Sequence, residues 1–564
     1  MSVLTDEKFV RFAEKALSKG LGGIAGKLEN GPGFVGEDFD QSRFFYPGNG
    51  KWLRRAAPGA KWRLGYANAD LTPGDWAERP YYLGGYLTGA NGYNNQINAV
   101  IDKMMCRVVA LDDGSGRGVS LFATVDCIGL GGRYIKAIRR HHEDQLRISG
   151  VNETLCTVNV FSTHAHSCVD TQGLWTATGK KLLHNFKKNR TGRGTYMEGA
   201  DPEFMRALVL RVGDAMLRAV KDLKPGTLTF AEKDIGPNYF SNRNRPSATA
   251  LSTTLYRFVF TPEDPSARPT VIASFPAHPD CAGLPTTDGQ GTGRELCGEF
   301  IYYMGELIGR AGYNFLFING AICAIYMSRG ASNDNVTMAH RYEQSIRYGR
   351  ELARITLALT KTREQIEADP VLCDRAQIER DKADAARNGG GYTLWYENWT
   401  PVKETKVAPI LNVRFRQVTV PVTNPLIILV GKLNLVAYDV IAKKDGSYAV
   451  TAEVGYLELG HGFSAVLVPG EFCQDLLYGG ASLTAAGAFR KTDFPYPPLT
   501  DTFGAEVAAF GLANDAVGYI VPDNDYIMGD FVNHYHELIS LGERTGSTVV
   551  QGLQELKTQI DSER

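Results

Sequence analysis

The chain has 564 residues, a formal net charge of −1 and a charged fraction of 22%. Because the charges nearly cancel, no overall field attracts nucleic acid, and nucleic-acid binding is excluded as the leading class of function. The length exceeds that of most single cores, so we expect either two domains or one large sheet-based domain with insertions.

Residues 1–60 begin with an amphipathic pattern and continue into a Gly/Pro-rich stretch, without the apolar run of a signal peptide. The most apolar segment, Pro425 to Gly431, has the length of a strand and is far shorter than the ~20 residues of a membrane helix. We therefore expect a helical extension over 1–60, a main domain over 61–564, and a cytoplasmic protein without stable membrane insertion.

The early part of the main domain alternates between strand and helix patterns. Residues 106–113 and 118–126 are apolar and β-branched, which predicts two strands joined by a turn. Residues 133–148 predict a helix with one apolar face, 154–167 predict the next strand, and Asp201-Pro202 predicts a helix start. This alternation is typical of a mixed α/β fold with layered sheets and helices.

The remaining segments are less regular. Residues 180–200 are basic and contain glycine, which predicts a solvated loop, with a mobile lid or an anion-contacting loop as the alternative. Residues 335–369 predict a long helix, 374–400 a surface excursion, and 409–470 a β-rich region.

The nine cysteines are scattered, with no CxxC pair. Several lie in apolar surroundings, so we expect buried free thiols rather than disulfides. A cysteine-rich zinc site is excluded by the spacing.

The segment Ser162-Thr-His164-Ala-His166-Ser lies where a strand is expected to end. Because side chains alternate along a strand, the two imidazoles are predicted to point the same way, which suits metal binding or catalysis. The alternative is a pair of structural histidines. The segment lacks the Asp-His half of the HxHxDH motif of metallo-β-lactamase-like hydrolases, and it lies later in the chain than the HxH of amidohydrolase barrels.

Three further segments place a polar side chain after an apolar run. They are Ser274-Phe-Pro-Ala-His278-Pro, Val466-Leu-Val-Pro-Gly-Glu471-Phe and Val517-Gly-Tyr-Ile-Val-Pro-Asp-Asn-Asp-Tyr526. Each also has a structural explanation, such as a carboxylate at a helix N-terminus for Glu471.

Taken in order, these four segments resemble the neutral/alkaline ceramidase family. The earlier Gly65-Tyr-Ala-Asn-Ala-Asp-Leu-Thr-Pro and Leu83-Gly-Gly-Tyr segments and the strand from Asp102 also follow that family, so the resemblance covers about 62–540 as short motifs. It implies a large mixed α/β catalytic domain over 61–564, here without an immunoglobulin-like carboxyl-terminal domain.

The resemblance implies a zinc ion held by His164, His278, Glu471 and Tyr526. Such a set of nitrogen and oxygen ligands leaves a position for a water that zinc activates near neutral pH. His166 is then expected to lie next to the metal, either as an orienting group or to transfer a proton to the leaving amine. The family's arginine loop matches Asn242-Arg-Asn-Arg245-Pro, so Arg245, with Tyr526, is expected to stabilise the oxyanion of an amide being hydrolysed.

The sequence departs from the family in one loop. Where the family has Gly-Asp-x-Ser-Pro-Asn, this chain has Asn319-Gly-Ala-Ile-Cys323-Ala-Ile-Tyr326, so Cys323 either contacts the substrate or packs in the core. We expect a small soluble or lipid-like amide or ester as substrate. The alternatives are an ester or lactone hydrolase, an isomerase or lyase on the same scaffold, or a non-catalytic ligand-binding relative, and a homo-oligomer is left open.

Overall fold

The computed structural model describes residues 7–85, 95–242, 245–280, 292–327 and 341–563. The α-helices within these ranges are α1 Glu7–Ala25, α2 Gly132–Ile148, α3 Thr178–Thr191, α4 Pro202–Lys221, α5 Glu299–Arg310, α6 Arg341–Ala358, α7 Arg363–Ala368, α8 Arg375–Arg387, α9 Pro425–Lys432, α10 Gln474–Tyr478, α11 Leu499–Phe503 and α12 Thr545–Ser562.

The strands of the same ranges are β1 Phe34–Gly36, β2 Trp62–Asp70, β3 Ala99–Val100, β4 Met105–Asp112, β5 Val119–Val125, β6 Leu155–Ser162, β7 Lys224–Asp234, β8 Phe240–Asn242, β9 Thr254–Pro262, β10 Thr270–Phe275, β11 Glu295–Leu296, β12 Asn314–Asn319, β13 Ile325–Met327, β14 Thr405–Lys406, β15 Leu411–Pro421, β16 Val440–Ala442, β17 Tyr448–Leu459, β18 Phe463–Leu467, β19 Glu471–Phe472, β20 Ala508–Phe510 and β21 Tyr519–Ile520.

Two large mixed sheets face each other. The first has the order β12-β10-β9-β7-β2-β4-β5-β6 with β14 added to β7, and the second has the order β1-β16-β17-β18-β20 with β15 added to β17. Aromatic side chains from both sheets, such as Phe161 and Phe463, share one buried cluster between them. Helices α2 and α4 pack on the outer face of the first sheet, and α9 and α12 pack against the second. The result is a layered helix, sheet, sheet, helix arrangement, which confirms the predicted mixed α/β fold.

Most of the early predictions are confirmed within one or two residues, because their apolar periodicity is strong. Strands β4 and β5 and helices α2 and α4 begin and end close to the predicted positions, and β6 ends at Ser162, earlier than predicted. Asp201 caps α4 by accepting hydrogen bonds from the backbone N–H groups of Glu203 and Phe204. The described cysteines are all buried and unpaired; Cys281 lies outside the described residues.

Two predictions are wrong. The apolar run from Pro425 is helix α9, because Asn424 caps its first turn and proline suits the first helical position. The basic segment 180–200 is not a loop throughout, since α3 covers its first half and ends at Gly192 in the left-handed region.

The later predictions are partly met. Helices α6 and α7 divide the predicted long helix, whose first residues, 335–340, lie outside the described ranges. The predicted excursion at 374–400 begins with α8, and the expected amino-terminal helix is α1. The division into an extension and a main domain stays a prediction. No helix of the described ranges has the length and apolar character needed to cross a bilayer.

Candidate metal centre

His164 and His166 follow β6 in a turn rather than on the strand itself. The strand ends at Ser162, and His164 adopts a left-handed backbone with φ of 69°. A non-glycine residue in this region carries a strain of about 1–3 kcal/mol, and such strain is typical of functional sites. The turn brings the two rings to 4.7 Å between centroids, at an angle of 81°. The predicted proximity is therefore present, although strand alternation does not produce it.

His278 reaches the same place from the other half of the first sheet. Strand β10 ends at Phe275, and the chain turns through Pro276 to His278, whose ring lies 4.7 Å from that of His164. The ring also stacks on Tyr326 at 4.3 Å. The histidine is completely buried, so a polar role or a polar partner must account for its nitrogen atoms.

Backbone carbonyls orient both imidazoles. The Nδ1 atom of His164 lies 2.7 Å from the carbonyl oxygen of Ile128, and the Nδ1 of His278 lies 2.8 Å from that of Ile325. Each Nδ1 must donate to its carbonyl, which leaves each Nε2 to face the interior of the site.

Glu471 completes this arrangement. It begins β19, which pairs in parallel with β21 so that Glu471 lies beside Tyr519. Its Oε2 atom is 3.2 Å from the Nε2 of His164 and 3.0 Å from the Nε2 of His278. Burial by itself raises the pKa of the Glu471 carboxyl, but the charges and hydrogen bonds of the two histidines outweigh it and hold that pKa well below its usual value.

These atoms fit a divalent cation. Two imidazole lone pairs and a carboxylate oxygen repel each other at such distances unless protons or a cation lie among them. In tetrahedral zinc sites with bonds of about 2.0–2.1 Å, neighbouring ligand atoms lie about 3.3 Å apart. One ligand nitrogen from each of His164, His166 and His278 falls within a 4.8 Å cluster, and all three residues are buried.

His166 lies against the glycine segment that precedes the site. A Cβ atom on Gly85 would meet the His166 ring at 2.7 Å, and Gly85 has φ of 124°, so only glycine fits here. Burial, followed by the neighbouring His164 and His278, lowers the pKa of His166 well below its usual value. The ring is therefore neutral near pH 7, and it can accept a proton or bind a metal.

Tyr526 points elsewhere. Its hydroxyl lies 3.4 Å from the backbone carbonyl of Glu537. Burial raises the pKa of Tyr526, and the charged groups that also act on it are Glu537, Glu14, Glu543 and Arg490, none of which belongs to the histidine cluster. These contacts favour a structural role for Tyr526.

Tyr519, in the same motif, lies beside Glu471 instead. Burial raises the pKa of Tyr519 well above its usual value, and Glu471 is the first of the charged neighbours that add to the rise. The quoted motif therefore contains two tyrosines, and Tyr519 is the one that pairs with Glu471, while the assignment of Tyr526 as a ligand stays a prediction.

A cluster of hydroxyl groups that no sequence pattern predicts lies beside Tyr519. The hydroxyls of Tyr326 and Tyr535 share a short hydrogen bond, and the hydroxyl of Tyr519 lies 3.4 Å from that of Tyr535. His536 is buried, stacks on Tyr535 at 4.2 Å and meets the Tyr519 ring edge-on at 4.7 Å. Tyr535 and His536 fall outside every segment selected from the sequence, so no local signal identified them.

Arg245 belongs to a neighbouring ion network. Its guanidinium contacts Asp525 at 2.7 Å and Glu537 at 2.9 Å, and all three side chains are fully buried. Both terminal nitrogens of Arg245 donate to these carboxylates, which favours a supporting role over direct contact with an oxyanion.

Cys323 is 1% exposed and packs in the apolar core. Its backbone N–H donates to the carbonyl of Phe472 at 3.2 Å. Burial, followed by a hydrogen bond with Cys473, raises the pKa of the Cys323 thiol well above its usual value. A protonated thiol is a weak nucleophile, so packing is the favoured alternative.

Solved structures share this fold. Neutral ceramidase from Pseudomonas aeruginosa matches with a TM-score of 0.54 and 13% identity, over 89% of this chain and 75% of that chain. A ceramidase complexed with C2 matches with a TM-score of 0.55 and 12% identity, over 89% and 76%. At these identities the likeness concerns the fold. No protein-family model and no curated protein matches the sequence.

Proposed function

We propose that this chain is a metal-dependent hydrolase that cleaves an amide carbon–nitrogen bond and uses zinc as its metal. The observation that carries the proposal is the convergence of two carbonyl-oriented histidine Nε2 atoms on one oxygen of Glu471, at 3.0 and 3.2 Å. One divalent cation satisfies all three atoms, whereas protons alone require two adjacent charged imidazoles in a buried site.

His164, His278 and Glu471 hold the ion, and Tyr519 replaces Tyr526 as the fourth protein ligand. Bound zinc supplies Lewis acidity and lowers the pKa of water to about 7. The pairing of Glu471 with Tyr519 across β19 and β21 supports this choice.

Other side chains of the site transfer protons and stabilise negative charge. His166, kept neutral by burial, accepts a proton and delivers it to the leaving amine. The hydroxyls of Tyr326 and Tyr535 provide donors for the negative charge that develops on the carbonyl oxygen. Arg245 holds the segment from Asp525 to Glu537, which contains Tyr535, in place.

The two fold neighbours are ceramidases by name, which makes N-acyl amides the first substrate class to test. A series of acyl chain lengths separates a small soluble substrate from a lipid. Matched esters separate an amidase from an esterase on the same site.

The test combines elemental analysis with hydrolysis of this series. We expect about one zinc ion per chain, lost in His164→Ala and in His278→Ala while circular dichroism shows that the fold persists. His461→Ala is the matched control, because His461 is an exposed histidine in the turn between β17 and β18. A folded wild type that takes up no zinc on reconstitution, or that binds zinc and hydrolyses no amide, contradicts the proposal.

A further inference from the structure

Helix α3 buries polar side chains. Lys181, Asn185 and Asn189 recur every four residues and face the protein. Their side-chain nitrogen atoms donate hydrogen bonds to the backbone carbonyls of Gly199 at 2.5 Å, Leu433 at 2.7 Å and Glu29 at 2.9 Å, respectively. Because each buried group has a partner, this polar face is a stable contact.

The outer face of α3 is apolar and basic. Leu183 is 77% exposed and Phe186 is 36% exposed. The exposed cations Lys180, Lys187 and Arg190 surround them on the same side. A surface helix ordinarily turns its apolar residues inward, so α3 has the opposite polarity.

The basic side chains of α3 make two kinds of contact, either back to the protein or beside the exposed Phe186. Lys188 folds back, since its Nζ donates to the carbonyl of Gly192 at 2.9 Å and lies over the Tyr196 ring. The guanidinium of Arg190 lies 6.0 Å from the Phe186 ring, which places a cation directly beside an exposed aromatic side chain.

We propose that the outer face of α3 docks on an anionic lipid bilayer. Leu183 and Phe186 enter the boundary between headgroups and acyl chains, and Lys180, Lys187 and Arg190 contact the anionic headgroups. Exposed apolar residues beside lysine and arginine are the composition of helices that lie in this interface. Charge complementarity favours a bilayer over a second copy of the chain, because a two-fold contact would bring the same cations together.

Helix α3 begins at Thr178, a short distance along the chain from His166. The turn between His166 and α3 is rigid, because the buried carboxylate of Asp170 accepts hydrogen bonds from four backbone N–H groups, those of Gln172, Gly173, Trp175 and Thr176. Binding of α3 to a bilayer does not depend on the proposed function. Only the idea that this binding brings a lipid amide to the metal centre rests on the proposed function.

The experiment is co-sedimentation of the full chain with phosphatidylcholine vesicles, with and without phosphatidylserine. We expect binding that requires phosphatidylserine and weakens with salt. Each lost cation should lower the partition coefficient about fivefold, so Lys187→Gln/Arg190→Gln should lower it about 25-fold. Leu183→Ser/Phe186→Ser should lower it at least about tenfold.

Two controls match these variants. Lys403→Gln/Lys406→Gln removes two exposed lysines elsewhere, and Ile148→Ser removes an isoleucine that is 73% exposed on α2. Both should bind vesicles as the wild type does. All variants should keep their zinc content and their rate on a short soluble amide, which separates failure of docking from failure of the metal centre.

The proposal is overturned if phosphatidylserine does not increase vesicle binding by the wild type, or if the control variants lose as much binding as the α3 variants. Sedimentation velocity measures the oligomeric state of the wild type and of the α3 variants. A dimer that Leu183→Ser/Phe186→Ser abolishes would assign this face to a second copy of the chain instead of a membrane.

Discussion

Two buried polar clusters lie close together in this molecule, and their charges are compensated in different ways. In the ion network, Arg245 supplies the positive charge for Asp525 and Glu537 from within the chain. In the candidate metal centre, His164, His278 and Glu471 all present groups that bind a cation. Buried charges need compensation in both places, so the first cluster is complete by itself and the second is suited to an external ion.

The largest expected effect comes from breaking the complete cluster. Arg245→Met removes the buried cation that contacts both Asp525 and Glu537, and it should lower the free energy of unfolding by about 3–5 kcal/mol. Urea denaturation measures the loss.

Arg310→Met is the matched control for this variant. Its exposed pair with Glu306 should contribute less than about 1 kcal/mol. Equal losses in the two variants would show that Arg245 is not a buried structural cation.

The next effect is loss of zinc from the second cluster. Glu471→Gln replaces an anionic ligand with a neutral amide, so zinc affinity should fall by more than the roughly 10–100-fold typical of a group that only supports a ligand. Competition with a chelator measures it, and Glu506→Gln, an exposed glutamate, should have no effect. Unchanged affinity in Glu471→Gln would remove this residue from the ligand set.

The ion network should also respond to pH through His534. Burial opposes protonation of His534, but hydrogen bonds to Asp525 and Asp530 raise its pKa to about 9. A raised pKa of the folded state gives stability that is complete below about pH 6.5 and is lost as the pH rises to about 9.

This difference between the two pKa values corresponds to about 3 kcal/mol of stability. Urea denaturation at a series of pH values should show this decline in the wild type and a flatter profile in His534→Gln. Parallel profiles in the two proteins would mean that His534 does not carry the dependence.

The smallest expected effect concerns the packing of Gly85 on His166. Gly85→Ala introduces a methyl group 2.7 Å from the ring and should lower the hydrolysis rate about tenfold, less than the 10²-fold typical of a 1 Å misplacement. Gly74→Ala is the matched control, because a Cβ there meets nothing within 4 Å. Full activity in Gly85→Ala would show that the position of His166 is not critical.

Local patterns predicted the regular elements where one periodicity dominates. Helices α2 and α4 and strands β4 and β5 carry strong apolar patterns, and Asp201-Pro202 marks a start that depends only on neighbouring residues. The prediction failed at α3, because a helix whose polar face is buried does not show the usual apolar stripe.

The candidate site shows the same division. The sequence points to His164, His166, His278 and Glu471 because they follow apolar runs in turns, and the structure brings them together. The motif that ends at Tyr526 contains two tyrosines, and the sequence does not say which of them faces Glu471.

Local sequence patterns are enough to predict the fold class, the main strands and helices, and the segments from which the site is built. These depend on apolar periodicity and turn residues, which act over a few neighbours. Only the folded chain shows that Tyr519 lies beside Glu471, that Asp525 and Glu537 neutralise Arg245, and that α3 turns Leu183 outward. These outcomes depend on contacts between segments far apart in the chain, where burial and charge compensation act across the assembled layers.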